Sequence, residues 1–380
     1  MTVKMHVNYI LEDFSEVSGG VPAVVNQLSR RVANYGWQVN VVHTSGDGML
    51  KIKNIEIERI MPSGLGSPWG WSTQLRPTIE RLAALSGPKV FHLHGIWSAP
   101  QYFGANVAKK CSIPLVLSAH GMLEPWLWKR QGWKIWGKKK VYWELFAHQA
   151  FRSASVVHAV TPLEREHLQQ LFPSNRIEVI TNAIDLDEYG DTSSTSQRER
   201  LILFVGRIEP IKGVDILLKA FAMANITKDW RVVVMGPVWS SSYQAELERI
   251  VSDACLENRI SFIGALFGQE KQNWFRKAWI LVVPSHSEVV GLVNLEAAAH
   301  YVPSITTHQT GLGDWERGGG ILIQPEVYQL RDALERVCSW SDSERTERGA
   351  ASRNLVSERY SWKVVLPQWL SLYGSLLSKG

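Results

Sequence analysis

The chain has 380 residues, 45% hydrophobic and 20% charged, with a formal net charge of +5, a length that suits two domains with a core each. No apolar run is long enough to cross a bilayer, and the start, MTVKMHVNYILEDF, lacks the continuous apolar core of a signal peptide. Cys111, Cys255 and Cys338 are odd in number and scattered, which argues against a disulfide or zinc framework and for a reducing, cytoplasmic setting.

Short apolar strands alternate with amphipathic helices from the start. Met5–Ile10 predicts a strand, Gly19-Gly20 a turn and Val21–Tyr35 a helix, with Pro22 tolerated in its first turn. Gln38–His43, Val90–His94 and Pro114–Ser118 read as further strands. Ser155–Val160 is followed by Thr161-Pro-Leu-Glu164, a capping-box signature that opens a helix, and Glu178–Ile180 is a last short strand. Residues 185–200, DLDEYGDTSSTSQRER, are polar and read as a linker. Strands at 201–205, 231–235, 260–263, 280–283, 304–307 and 320–323 make a second series, and Trp362–Leu377 closes the chain as an amphipathic helix. This alternation predicts an α/β protein of two doubly wound, Rossmann-like domains.

The chemistry-bearing residues stand where strands end. In Pro284–Ala299, PSHSEVVGLVNLEAAA, Glu288 follows an apolar strand and Glu296 falls in the first turns of the next helix. The crevice at the carboxyl ends of such strands is where open α/β sheets bind ligands. Two carboxylates there offer several lone pairs to a polyhydroxylated ligand. Upstream, LILFVGRIEPIKGVDILLKAFA combines a buried strand, a basic loop and the helix Val214–Ala222. Arg207 supplies a planar fork for phosphate, Lys212 a point charge, and the helix start free N–H groups.

FVGR-x4-KG followed by PS-x-SE-x2-GL-x3-EA resembles the donor-binding half of retaining, family-four (group 1) GT-B glycosyltransferases of the bacterial polysaccharide-biosynthesis type. The resemblance extends to Gly19-Gly20, HLHG at 92–95, SAHGMLEPW at 118–126, TNAID at 181–185 and ERYSW near the C-terminus. Val290 stands where the family usually has Phe, and Ala183 where it has Gly, so pocket shape departs while every charged group is kept. The resemblance implies two domains, 1–185 on the acceptor side and 201–360 binding the nucleotide sugar, facing a central cleft. A linker at 186–200 would join them, and a C-terminal helix, 361–380, would cross back onto the first. It implies a hexosyltransferase that keeps anomeric configuration, needs no metal or cofactor, and uses a nucleoside diphosphate sugar of UDP or GDP type. Arg207 and Lys212 are expected on the diphosphate, assisted by backbone at Gly19, Gly20, Val290, Gly291 and Leu292. Glu296 is expected on the ribose, and Glu288 and His120 on the donor sugar. His94 and Trp126 are acceptor-side candidates, and the acceptor is a glycan or a lipid-linked one. Alternatives are a nucleotide-sugar epimerase or phosphorylase on the same fold, or a non-catalytic protein binding membranes or polyanions.

Other patterns weigh less. Gly19-Gly20 allows close approach to a phosphate or simply a tight turn, and S-G-G-V-P-A is not the dinucleotide fingerprint. His92 and His94 share a strand face; with His120 they lack the carboxylate or Cys that would complete a zinc site, and His94 is as readily a packed structural imidazole. Asp185-Leu186-Asp187 sits in the linker, and the resemblance already accounts for Asp185. The positive charge is local: residues 129–140, KRQGWKIWGKKK, hold six basic groups, and 35 basic face 36 acidic residues elsewhere. Five of the 17 tryptophans, Trp126, Trp128, Trp133, Trp136 and Trp143, lie in or beside this patch. Nucleic acid is not expected there, since no other feature supports it. Residues 126–143 are read as a peripheral contact with an anionic membrane on its inner face, or else as ordinary packing of the first domain.

Overall fold

The computed structural model describes residues 4–15, 19–46, 54–124, 133–190 and 198–378. Its contacts divide the chain into two units, Met1–Asn182 with Val365–Gly380, and Ala183–Val364. The division falls a few residues from the expected 185 and 360. Ile184 bridges Ser361, and its N–H donates to the Tyr360 carbonyl at 2.8 Å, tying that stretch to the second unit.

The first unit contains β1 (His6–Ile10), α1 (Gly20–Asn34), β2 (Gln38–His43), β3 (Ile55–Arg59), α2 (Leu75–Ala83) and β4 (Lys89–His94). It continues with α3 (Ala99–Lys110), β5 (Leu115–Ser118), α4 (Trp133–Tyr142), α5 (His148–Phe151), β6 (Val156–Ala159), α6 (Pro162–Leu171) and β7 (Ile177–Val179). The strands are parallel in the order β3-β2-β1-β4-β5-β6-β7. β1, β5 and β6 are buried throughout, as strands covered on both faces are, and the burial takes in the polar side chains of Asn8, Ser118 and His158. The order reverses between β1 and β4.

The second unit holds β8 (Leu201–Val205), α7 (Val214–Met223), β9 (Arg231–Met235), α8 (Ser241–Asp253), β10 (Ile260–Phe262) and α9 (Gly268–Lys277). β11 (Ile280–Val283), α10 (Leu292–Ala299), β12 (Ser304–Thr307), β13 (Ile321–Ile323), α11 (Val327–Cys338) and α12 (Asp342–Arg359) follow. Its parallel sheet runs β10-β9-β8-β11-β12-β13 and reverses between β8 and β11. The expected linker is ordered at its start: Asp185 Oδ1 accepts the Asp187 N–H at 3.1 Å and caps a 3₁₀ turn, Leu186–Tyr189. Residues 191–197 lie outside the described residues.

The last helix, α13 (Trp362–Leu377), starts in the second unit and from Val365 belongs to the first. There Tyr373 enters a buried hydrogen-bond chain whose direction follows from its far end. The Ile180 carbonyl can only accept, so His158 donates to it from Nε2 at 2.7 Å. Burial holds His158 neutral, its pKa pushed down to about 4, so Nδ1 accepts from the Ser118 hydroxyl at 2.7 Å. Ser118 Oγ then accepts from His92 Nε2 at 2.7 Å, and His92 Nδ1 accepts from Tyr373 at 2.8 Å. Tyr9 donates to Tyr373 at 3.3 Å. Every donor in this buried array has an acceptor, as a low-dielectric interior demands.

Of the segment 126–143, read as a membrane contact or as packing of the first domain, Trp143 belongs to the packing. α4 runs into a π-helical turn, Trp143–Ala147. Trp143, the first residue of that turn, is 5% exposed, edge-on to Phe172 at 5.7 Å, and packs the core. Val141, Leu145 and Phe146 are exposed in its place. Trp126, Trp128 and residues 129–132 lie outside the described residues, as do the side chains of Trp133, Lys134 and Trp136.

Candidate active site

The second unit assembles its charged residues at the point where its strand order reverses. Beyond β8 the chain turns at Gly206 into Arg207, and beyond β11 it runs through Pro284 to Glu288. Gly213 brings these loops together: it is left-handed (φ +69°), and a Cβ there would meet the Pro284 carbonyl oxygen at 2.3 Å. The His286 N–H donates to the Ile211 carbonyl at 2.8 Å, completing the seam. Lys212 therefore arrives beside Glu288, with Nζ 2.5 Å from Oε1, and both side chains are mostly buried. Ser285 donates to the same oxygen at 3.2 Å, and the Glu288 N–H is held by the Gln309 carbonyl at 3.1 Å.

Arg207 is held from two sides. Its guanidinium reaches Glu209 Oε1 at 2.8 Å and lies 5.2 Å from the exposed ring of Trp239. The Trp239 N–H donates to the Ile208 carbonyl at 3.2 Å, lacing that loop to the arginine loop.

α10 carries Glu296, whose Oε2 is 2.6 Å from Lys271 Nζ on α9. The helix begins at Gly291 without a side-chain cap, after the buried Val290. A Cβ on Gly291 would stand 2.5 Å from the Asn294 side-chain Nδ2, so a side chain there would have to displace that buried amide. Leu292 is its first residue. At the other end three guanidiniums take its final carbonyls: Arg353 that of Ala299, Arg198 that of His300 at 2.6 Å, and Arg345 that of Tyr301 at 3.2 Å. Cations there complement the helix dipole and leave the opposite end electropositive.

In the first unit Gly19 precedes α1 with φ +105°, a conformation that favours glycine, and Gly20 opens the helix. His94 ends β4, and its Nδ1 is 2.8 Å from His120 Nε2, the two rings stacked at 5.1 Å. Burial pushes the His120 pKa down to about 3 and holds that of His94 well below the ordinary range, so both rings are neutral. His120 itself is left-handed, φ +52°, an uncommon state for a residue with a side chain. His92 spends both ring nitrogens on hydroxyls, which makes it structural. Trp126 lies outside the described residues.

Residues 18–188 match the Glycosyltransferase Family 4 model, and residues 188–354 match Glycosyl transferases group 1. The chain is a two-domain glycosyltransferase. It is 28% identical to the D-inositol 3-phosphate glycosyltransferase of Frankia alni over 414 aligned positions, covering 98% of both chains. Among solved structures it is similar to Anabaena HepE in complex with UDP and glucose, with a TM-score of 0.75 at 18% identity, covering 98% of this chain and 100% of that one. It is similar also to sucrose-phosphate synthase from Thermosynechococcus elongatus, with a TM-score of 0.77 at 19% identity over 99% and 100% of the two chains. These structural likenesses show the GT-B fold, with two Rossmann-like domains.

Of the residues singled out in the glycosyltransferase sequence, Lys212 and Glu288 meet directly, whereas Arg207 and Glu296 each pair with a residue not anticipated, Glu209 and Lys271. Ser285 and Trp239 were also missed. A tryptophan four residues beyond the β9 strand end, in GPVW, was a readable signal; Lys271 was not, being one more charge on a polar helix face.

Proposed function

We propose that this glycosyltransferase is a retaining, metal-independent hexosyltransferase. It takes its sugar from a nucleoside diphosphate donor of UDP or GDP type and passes it to a glycan or lipid-linked acceptor in surface polysaccharide synthesis. The observation that carries this reading is the Lys212–Glu288 pair at the reversal of the strand order, with Arg207 on the same loop. Breaking a sugar–phosphate bond builds negative charge on the diphosphate and positive character on the sugar. Two fixed cations and the uncapped start of α10 suit the first, and a carboxylate held by Lys212 and Ser285 suits the second. Glu296 holds the ribose hydroxyls, and His120 and Glu288 orient the donor sugar. Cations already in place supply the charge a metal would bring, so no metal or other cofactor is assigned, and Asp185 serves as a turn cap. Departure and attack on one sugar face keep the configuration. Calorimetry with UDP, GDP and ADP tests the donor class: tight binding of UDP or GDP is expected, and binding of none would overturn it. An NMR assay of product anomers tests retention.

A membrane-facing role for the first unit is supported by α4 and the π turn after it. Lys138 and Lys140 are exposed there beside Val141, Leu145 and Phe146, which pairs apolar side chains with cations as an anionic bilayer surface requires. Among the described residues no helix is long and apolar enough to cross a membrane. Flotation should recover the protein on anionic vesicles, less at high salt, and less for Lys138→Ser/Lys140→Ser. Equal recovery on neutral vesicles, or none on either, would refute the contact.

A further inference from the structure

We propose that Glu164 is a positioning residue for His120, its buried carboxylate holding the turn after β5 in the left-handed shape that presents the imidazole. The inference rests on the donor-sugar role given above to His120.

Two consecutive residues of that turn are left-handed, His120 at φ +52° and Gly121 at φ +73°. Such a turn aims the Gly121 N–H away from any strand ladder, so it needs an acceptor of its own. Glu164, on the first turn of α6, supplies it: Oε1 accepts the Gly121 N–H at 2.6 Å. The other oxygen, Oε2, accepts the Val160 N–H at 2.6 Å, so one carboxylate joins the β5 turn to the end of β6. Glu164 is only 2% exposed.

The helix does not itself demand this buried charge. Thr161 already caps α6, accepting the Glu164 N–H at 3.1 Å. In an ordinary capping box the glutamate would return to the N–H of the cap residue. Here it bonds Val160 instead and reaches across to another loop. A second tie comes from the same helix, one turn on: His167 Nδ1 lies 2.6 Å from Glu124 Oε2. The Glu124 N–H in turn donates to the Gly121 carbonyl at 3.0 Å. Gly121 is thus gripped at its N–H and at its carbonyl, and α6 anchors both grips. With the backbone fixed, the contact between His120 Nε2 and His94 Nδ1 sets the ring plane.

The test is a double-mutant cycle of Glu164→Gln and His120→Ala, read as kcat, KM and the dissociation constant for UDP. Glutamine keeps the size but sets an NH2 against one of the two N–H groups. Glu164→Gln should lower kcat roughly tenfold, leave UDP affinity within about twofold, and shift the His120 ring resonances. In the His120→Ala background it should cost less than about twofold more, because both changes act through one imidazole. A full multiplicative loss in that background, or unmoved His120 resonances, would overturn the clamp alone. Wild-type turnover of His120→Ala would instead overturn the donor-sugar reading and the proposal with it. If Glu164→Gln does not fold, Glu164→Asp, which keeps the charge but withdraws it from Gly121, is judged by the same cycle.

Discussion

Mild acid should destabilise the first unit more than the second. His92, His94, His120 and His158 are buried there, and burial, with repulsion between neighbouring rings, holds all four neutral, His120 down to about 3 and His158 to about 4. In the unfolded chain each titrates near 6.5. Between pH 6.5 and 4 the unfolded state therefore binds protons that the folded state refuses, and stability falls as pH falls. With all four folded-state values well below 5.5, the rings together cost on the order of 5 kcal/mol at pH 5.5 relative to pH 7.5. Glu164 works the other way. Burial raises its carboxyl to about 7, so its folded form gains protons first, and it returns about 2 kcal/mol over the same interval. The net loss is about 3 kcal/mol, a large share of the roughly 5–15 kcal/mol that holds a domain together. In the second unit His300, lowered to about 4, contributes one such ring. Urea unfolding at pH 7.5 and 5.5, with amide exchange to separate β4 and β5 from β8 and β11, measures this. Stability of the β4–β5 region that is flat or rising toward pH 5.5 would show charged rings in the folded state and refute the network.

Lys212→Ala and Arg207→Ala are each expected to abolish transfer while the thermal transition stays within a few degrees, since a charge-assisted phosphate contact is worth about 1.5–3 kcal/mol and more as charge develops; near-wild-type turnover in both would mean the diphosphate lies elsewhere. Glu296→Gln should weaken nucleotide binding, and Glu288→Gln should mainly lower kcat, because ribose contacts persist through the reaction whereas sugar contacts strengthen at the transition state; steady-state kinetics with the reverse pattern would exchange the two roles. Activity should survive EDTA; a requirement restored by magnesium or manganese, together with loss in Asp187→Ala, would reinstate a metal at the Asp185–Asp187 step.

The sheets were legible because strands covered on both faces leave unbroken apolar runs, LILFV and ILVV among them. β3, IEIER, escaped notice: it is an edge strand, half-exposed, and its alternating charges read as solvated chain. Arg207, Lys212, Glu288 and Glu296 were legible by position, one loop beyond a strand end. Their partners were not, because Lys271 reaches Glu296 across two helices and nothing in a linear spacing encodes that meeting. Glu164 was read as a capping-box residue, and Thr161 does cap it, but its carboxylate leaves the helix for Gly121. Trp143 misled because it was grouped with the basic patch by nearness in sequence, whereas its ring packs against Phe172 in the core.

The buried chain that ends on Tyr373 has a consequence for synthesis. The second unit is one continuous stretch, 183–364, and is complete as soon as its last helix emerges. The first is not: Tyr373 and Trp369 supply a hydroxyl and a ring that His92 and His158 pack against, and they are made about 190 residues after Asn182. At ribosomal rates of roughly 5–20 residues per second, that leaves the earlier-made sheet about 10–40 s without its closing side chains. During that interval His92 Nδ1 and Tyr9 face a gap, so the half of the protein translated first is the half that matures last. A series of full-length chains halted by C-terminal extensions of increasing length would see protection of β4 arrive only when Tyr373 clears the ribosome, well after β8 and β11 are secure.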